Sequence, residues 1–210
     1  MLIVSYHTND GYADEAQRLA KSVRRVGMNM YAQAIGHLGN WYDATRYKAI
    51  FLQTMRRTYP GVLLYVDADA VFHRRIEYHE FDHDKYDLGV HYHHKGRKLG
   101  SGTLFLADTP ACRGMLDQWV ELNRVKLQRG EYRGGGQANL SETVDAMRDL
   151  RVWRLPARYC YITDLSKQWD PHEPVVIEHL QASREFRNPG RSSRLLRSRK
   201  RRLKELENPQ

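Results

Sequence analysis

Asp67 and Asp69 are the residues of this sequence best placed to do chemistry. They follow the apolar run Val62-Leu63-Leu64-Tyr65-Val66 and precede Ala70-Val71-Phe72. In open α/β sheets ligands collect at the carboxyl ends of strands. Carboxylates one residue apart can approach one hard cation if the chain bends between them. Mg²⁺ or Mn²⁺, its shell completed by a diphosphate and water, suits such a pair. The ion would offset charge developing on a departing diphosphate. Asp-x-Asp alone also describes an ordinary polar turn; the buried run before it and the apolar residues after it set this one apart. A second set, His91, His93 and His94, lies just before Lys95 and Arg97. No fourth ligand stands nearby, so a structural zinc site is not expected.

Several elements must position these groups. Leu2-Ile3-Val4-Ser5-Tyr6 reads as a short buried strand, broken by His7-Thr8-Asn9-Asp10-Gly11. Ala16, Leu19, Ala20, Val23 and Val26 then recur at helical spacing. Met28, Met30, Ala32 and Ala34 alternate as in a strand, and Tyr47, Ile50, Phe51, Thr54 and Met55 form a second helix face ahead of Pro60. With the run at 62–66 the order is β-α-β-α-β, which favours an open, mostly parallel sheet covered by helices. Further strands are expected at Leu88-Gly89-Val90, Thr103-Leu104-Phe105-Leu106, Val152 to Leu155 and Val175-Val176-Ile177. Thr109-Pro110 is a helix start, with Thr as N-cap and Pro at the first helical position. Gly134-Gly135-Gly136 reads as a flexible break before a helix through Leu140, Val144 and Met147.

The chain has 210 residues and is 41% hydrophobic, enough for one domain with a sizeable core. Its two cysteines, Cys112 and Cys160, cannot form a disulfide framework, and a reducing compartment is the simplest reading. The N-terminus shows no signal peptide, and no stretch approaches the length of a membrane span, so a cytoplasmic protein is expected. The net charge of +9 is uneven. The first 190 residues hold 26 basic and 23 acidic residues, a net of +3, whereas residues 191–204 alone hold eight basic ones. The boundary falls at Asn188-Pro189-Gly190, which divides the chain into a body, 1–187, and a basic tail, 188–210.

The ordered set of segments resembles the GT-A nucleotide-diphospho-sugar transferases. The likeness is strongest to small bacterial and phage members and to galactosyltransferase-like retaining families. It rests on Ser5-Tyr6-His7-Thr8, Tyr47-Lys48, Leu64-Tyr65-Val66-Asp67-Ala68-Asp69-Ala70-Val71, Ser101-Gly102-Thr103-Leu104-Phe105, a helix with Trp119, Gln137, Leu155-Pro156, Tyr159-Cys160 and Val176-Ile177-Glu178-His179. The resemblance implies that Asp67, Asp69 and His179 bind a metal. Imidazole in that set suits Mn²⁺ better than Mg²⁺. It also implies that Tyr6 and Thr8 meet the base or ribose of a nucleoside-diphosphate sugar, with a UDP-sugar the first expectation. Arg46 and Lys48 would lie near the nucleotide or diphosphate, Ser101 and Gly102 would border the sugar, Gln137 would approach the anomeric carbon, and Arg184 could hold a phosphate. The family pattern is not complete: Gly136 stands where Asp usually precedes Gln, and Ala182-Ser183-Arg184 replace the usual Gly and Lys.

The implied activity is metal-dependent transfer of a sugar to an acceptor hydroxyl. Inversion would need a base such as Asp164 or Glu142; retention, which the resemblance of the His179 segment favours, would give Gln137 and the donor phosphate more weight. The tail is expected to form a helix from Ser192 or Ser193 to about Leu206, with Leu195, Leu196, Leu203 and Leu206 as a thin apolar stripe. Its arginines suit a polyanion. Nucleic acid and an anionic membrane surface are both open as partners, as is a merely solvated tail. The acceptor favoured at this stage is a hydroxymethylated base in phage DNA, which would have to flip out of its duplex. A lipid-linked or cell-surface glycan is the alternative, and a non-catalytic nucleic-acid-binding protein stands behind both.

Overall fold

The computed structural model describes residues 1–9, 11–39, 41–131, 135–163, 174–186 and 194–207. The expected β-α-β-α-β opening is present as β1 (Leu2–Thr8), α1 (Tyr12–Arg25), β2 (Met30–Ile35), α2 (Trp41–Thr58) and β3 (Leu63–Val66). There follow β4 (Ala70–Phe72), β5 (Leu88–Tyr92), α3 (His93–Gly96), β6 (Lys98–Leu106), α4 (Pro110–Gln128), α5 (Gly135–Ala146) and β7 (Val152–Arg154). The chain ends in β8 (Ile177–His179), α6 (Ser183–Phe186) and α7 (Arg194–Glu207).

Six strands form the central sheet in the order β2-β1-β3-β6-β5-β7. β1 is parallel to β2 and β3, and β5 is parallel to β7. Only β6 runs against its neighbours β3 and β5, so the sheet is mostly parallel, as expected. Successive residues of its inner strands point to opposite faces. Val4, Tyr65 and Leu104 pack with Leu52 of α2 and Trp119 of α4. Ile3, Leu64 and Phe105 pack on the other face with Leu19 and Val23 of α1. Two-sided burial explains why β3 is apolar throughout. The helix start at Thr109 is also as expected: its hydroxyl accepts from the Cys112 N–H at 3.2 Å.

Three features depart from the sequence reading. β1 continues through His7 to Thr8, because its whole length pairs with β2 up to Thr8–Ile35. The glycines at 135 and 136 are not a flexible break but the buried first turn of α5. There a Cβ on Gly136 would lie 2.2 Å from the Thr45 carbonyl oxygen, so only glycine lets α5 sit this close to α2. The late strand is Ile177–His179, which pairs antiparallel with Ala70–Phe72 as a separate two-stranded sheet. This small sheet is tied to α1, where the Ser22 hydroxyl accepts from the Phe72 N–H at 3.0 Å and Arg25 donates to the Phe72 carbonyl at 2.8 Å. Among the described residues no helix is long and apolar enough to cross a membrane.

Candidate active site

Asp67 sits where β3 ends, in a turn closed by the Ala70 N–H donating to the Asp67 carbonyl at 3.0 Å. That turn sends the chain into β4, opposite β8, and the register pairs Ala70 with His179. The turn and the pairing bring together Asp67, Asp69 and His179, which offer one ligand atom each within 4.8 Å of one another.

Each of the three has one polar atom tied to the protein and one left over. Asp67 Oδ1 accepts from Lys48 Nζ and from the Tyr65 hydroxyl, both at 2.7 Å. Its Oδ2 lies on the side of Gly102. Asp69 Oδ2 accepts the Ala182 N–H at 2.7 Å, while Oδ1 stands 3.7 Å from His179 Nδ1. His179 Nε2 lies 2.8 Å from the Thr103 hydroxyl, and that hydroxyl spends its only proton on the Tyr159 carbonyl at 2.7 Å. Thr103 must therefore accept from Nε2–H, which leaves Nδ1 as the ligand nitrogen in the neutral ring. Gly102 completes the cradle: a Cβ there would lie 3.0 Å from His179 Cε1 and 3.4 Å from Asp67 Oδ2. Two carboxylate oxygens and one imidazole nitrogen fit a Mn²⁺-like divalent ion with room left for ligand oxygens.

In the metal-free fold the acids and the imidazole shift one another's protonation, and a bound ion would have to displace the His179 proton. Burial by itself would raise the Asp69 carboxyl, but His179 and the Ala182 N–H hold it below the usual range. Burial likewise works against a charged His179; neighbouring Cys160 and Asp69 outweigh it and raise the imidazole above its ordinary value. Burial and the Asp67 charge push the Tyr65 phenol well up, so it stays a proton donor to Asp67.

Asp67, Asp69 and Tyr65 line a cleft of about 240 Å³, with His179 buried behind the two acids. Of the expected nucleotide-sugar residues, Tyr6, Thr8, Lys48, Ser101 and Gln137 line it. Tyr6 is anchored by its hydroxyl, which donates to the Ala44 carbonyl at 2.6 Å. The Lys48 ammonium is committed to Asp67 and Ser101, 2.7 Å from the carboxylate, 2.9 Å from the Ser101 carbonyl and 3.2 Å from its hydroxyl. Lys48 therefore orients the acid at the cleft wall. Gln137 Oε1 lies 3.5 Å from both the Ser101 amide nitrogen and its hydroxyl.

Three expected residues are not among those lining the cleft: Gly102, which borders His179 and Asp67 instead, Arg46 and Arg184. Arg46 is two positions from Lys48, so the helix turns it to another face; it is buried against Asp43 at 3.2 Å and the Glu131 carbonyl at 3.2 Å. Arg184 is on α6 and does not line the cleft, whereas its neighbours Gln181 and Ser183 do. Of the two candidate bases, Glu142 is engaged by Lys126 with its side chain 56% exposed, and it is not a lining residue. Asp164 lies outside the described residues. Of the histidines at 91–94, His91 is 2.9 Å from the Leu155 carbonyl and packs edgewise on His93, and the side chain of His94 lies outside the described residues.

Sequence reasoning did not single out Tyr12, Trp41, Thr45, Gln181 and Ser183 as cleft residues. Nothing in their local pattern marks them. Thr103 was legible in part, since it lies two residues beyond Ser101 on β6. Gln181 stands out only in three dimensions: among the described residues it is the one non-glycine with positive φ, at 57°. The strain belongs to the turn that delivers the Leu180 N–H to the Asp69 carbonyl at 3.0 Å and the Ala182 N–H to its side chain.

No protein-family model matches the chain, and no curated protein sequence matches it. Among solved structures, the chain is similar to a glycosyltransferase involved in the glycosylation of the major capsid of PBCV-1. The TM-score is 0.68 at 13% identity, over 97% of this chain and 98% of that one. The architecture is thus the α/β glycosyltransferase fold that the sequence resemblance led us to expect.

Proposed function

We propose that the protein is a metal-dependent glycosyltransferase that takes a nucleoside-diphosphate sugar, a UDP-sugar in the first instance, and transfers its sugar to an acceptor hydroxyl. The observation that carries this reading is the set of three ligand atoms within 4.8 Å of one another, two from the turn after β3 and one from β8. Asp67, Asp69 and His179 would hold Mn²⁺, or Mg²⁺. When bound, the ion supplies positive charge to a leaving diphosphate. The chain's own residues do the positioning. Lys48 and Tyr65 orient Asp67, Thr103 orients His179, and Ser101 and Gln137 border the sugar. Asp67 and Asp69 are the acids that line the described part of the cleft. Glu142 is turned outward and Asp164 lies outside the described residues, so the retaining reading rests on the resemblance of the His179 segment, with Gln137 beside the reacting carbon.

For the acceptor, exposed Arg194, Arg197, Lys200, Arg201 and Lys204 on α7 support the DNA reading. A second reading has its own observation: the similar structure belongs to a protein that takes part in glycosylating a capsid. A glycan or glycoprotein acceptor therefore stands beside the hydroxymethylated base. A donor screen with and without Mn²⁺ tests the core of the proposal. Mn²⁺-dependent binding and slow hydrolysis of one sugar nucleotide, lost in Asp69→Ala, is the expected result. Equal binding with and without metal would remove the metal assignment.

A further inference from the structure

The basic tail does something its composition does not announce. α7 turns two of its arginines inward, and they bracket His179. Arg202 grips Glu178, the residue before it, with Nε 2.9 Å from Oε1 and Nη2 2.9 Å from Oε2. Arg199, only 3% exposed, donates from Nη1 to the carbonyl of Leu180, the residue after it, at 3.1 Å. The same guanidinium reaches Glu15 of α1 at 2.7 Å and Glu185 of α6 at 3.3 Å. Residues three apart share one helix face, so a single face of α7 holds both flanks of the metal histidine.

Strand alternation explains why such a grip is needed. In β8 the side chains of Ile177 and His179 point one way and that of Glu178 the other. His179 reaches the metal end only if Glu178 is buried on the reverse face, where it is 1% exposed. A buried carboxylate without partners is costly. His73, at 2.9 Å, and Thr163 supply part of the compensation, and Arg202 supplies the two-pronged remainder. On the other side of His179, the segment 180–183 is clamped between Arg199 and Asp69, and it carries Gln181 and Ser183 into the cleft.

We infer that α7 is a latch for the metal site: Arg199 and Arg202 are positioning residues that hold β8 and the 180–183 turn so that His179 meets Asp67 and Asp69. The inference rests on the metal-site reading above and assigns the tail a role in the body of the enzyme, separate from any role of its exposed charges.

The test compares two full-length double variants of equal charge loss, Arg199→Gln/Arg202→Gln and Arg194→Gln/Arg201→Gln. Two readouts are used: Mn²⁺ affinity by electron paramagnetic resonance, and amide hydrogen exchange over residues 177–183. The inward pair should lose affinity about 10- to 100-fold, as happens when groups that orient a metal ligand are removed, and exchange faster over that segment. The outward pair should stay within about twofold on both. Arg199→Lys/Arg202→Lys should recover part of the loss. Wild-type behaviour of the inward pair would overturn the latch, and so would an equal loss in the outward pair, which would make bulk charge the cause. If the inward double variant fails to fold, Arg202→Gln alone is read by exchange against Arg201→Gln. Absence of Mn²⁺ binding by the wild type would sink the metal reading, while the exchange comparison would still decide whether α7 holds the segment.

Discussion

Asp67 and Asp69 are separated by one alanine, yet their surroundings differ. The Asp67 side chain is 39% exposed and held by other side chains, Lys48 and Tyr65. The Asp69 side chain is 11% exposed and held by backbone, the Ala182 N–H, with the Leu180 N–H on its carbonyl. One acid belongs to the cleft wall and can adapt to what enters. The other fastens β4 to the turn after β8, so in the proposed site it would be both ligand and structural tie. Two identical residues in one motif thus divide the tasks of meeting the ligand and assembling the site.

The comparison predicts an order of effects. Asp69→Ala should be the most damaging, with metal-dependent turnover reduced about a thousand-fold or more and faster exchange of the Leu180 and Ala182 amides. A variant inactive but unchanged in exchange would leave Asp69 a ligand only. Asp67→Asn keeps the shape but removes the charge facing Lys48, which is itself 5% exposed. It should cost about a hundred-fold in Mn²⁺ affinity and about 2 kcal/mol in stability, less than for a fully buried pair because Asp67 is partly exposed. Equal loss of melting temperature in Asp67→Asn and Asp69→Asn would erase the proposed division of labour.

His179 sharpens the comparison through pH. Its pKa is raised in the metal-free fold, so its contribution to stability is complete below the unfolded value of about 6.5 and fades as pH rises towards the folded one. Metal needs the neutral ring, so Mn²⁺ affinity should rise with pH up to the folded value of about 10, by up to about tenfold per unit for one released proton, and level off above it. Titration calorimetry in buffers of different ionisation enthalpy would measure that proton, and a flat profile would remove Nδ1 from the ligand set. Gly102→Ala places a methyl against His179 and Asp67 and should weaken Mn²⁺ about tenfold with little change in melting temperature. Smallest of all, Glu142→Gln on the outer face of α5 should leave sugar transfer within about twofold. A large loss there would revive it as a base.

Much of this was legible in the chain itself. Two-sided burial writes itself as the apolar run before Asp67, helix periodicity marks α1 and α2, and Thr109-Pro110 announces α4, because such signals are local and depend on residues within a few positions. The order of these elements determined the α/β class, and the Asp-x-Asp after a buried strand pointed to the end of the sheet where the candidate metal site lies. What only the tertiary structure decided are relations across long separations. Among them are the pairing of Ala70 with His179, the commitment of Lys48 to Asp67, the turning of Arg46 away from the cleft, and the inward grip of Arg199 and Arg202 on a strand some twenty residues earlier. In composition those two arginines are indistinguishable from their exposed neighbours. Helix phase and a buried glutamate on the reverse face of β8 set them apart, and neither can be read until the chain has packed.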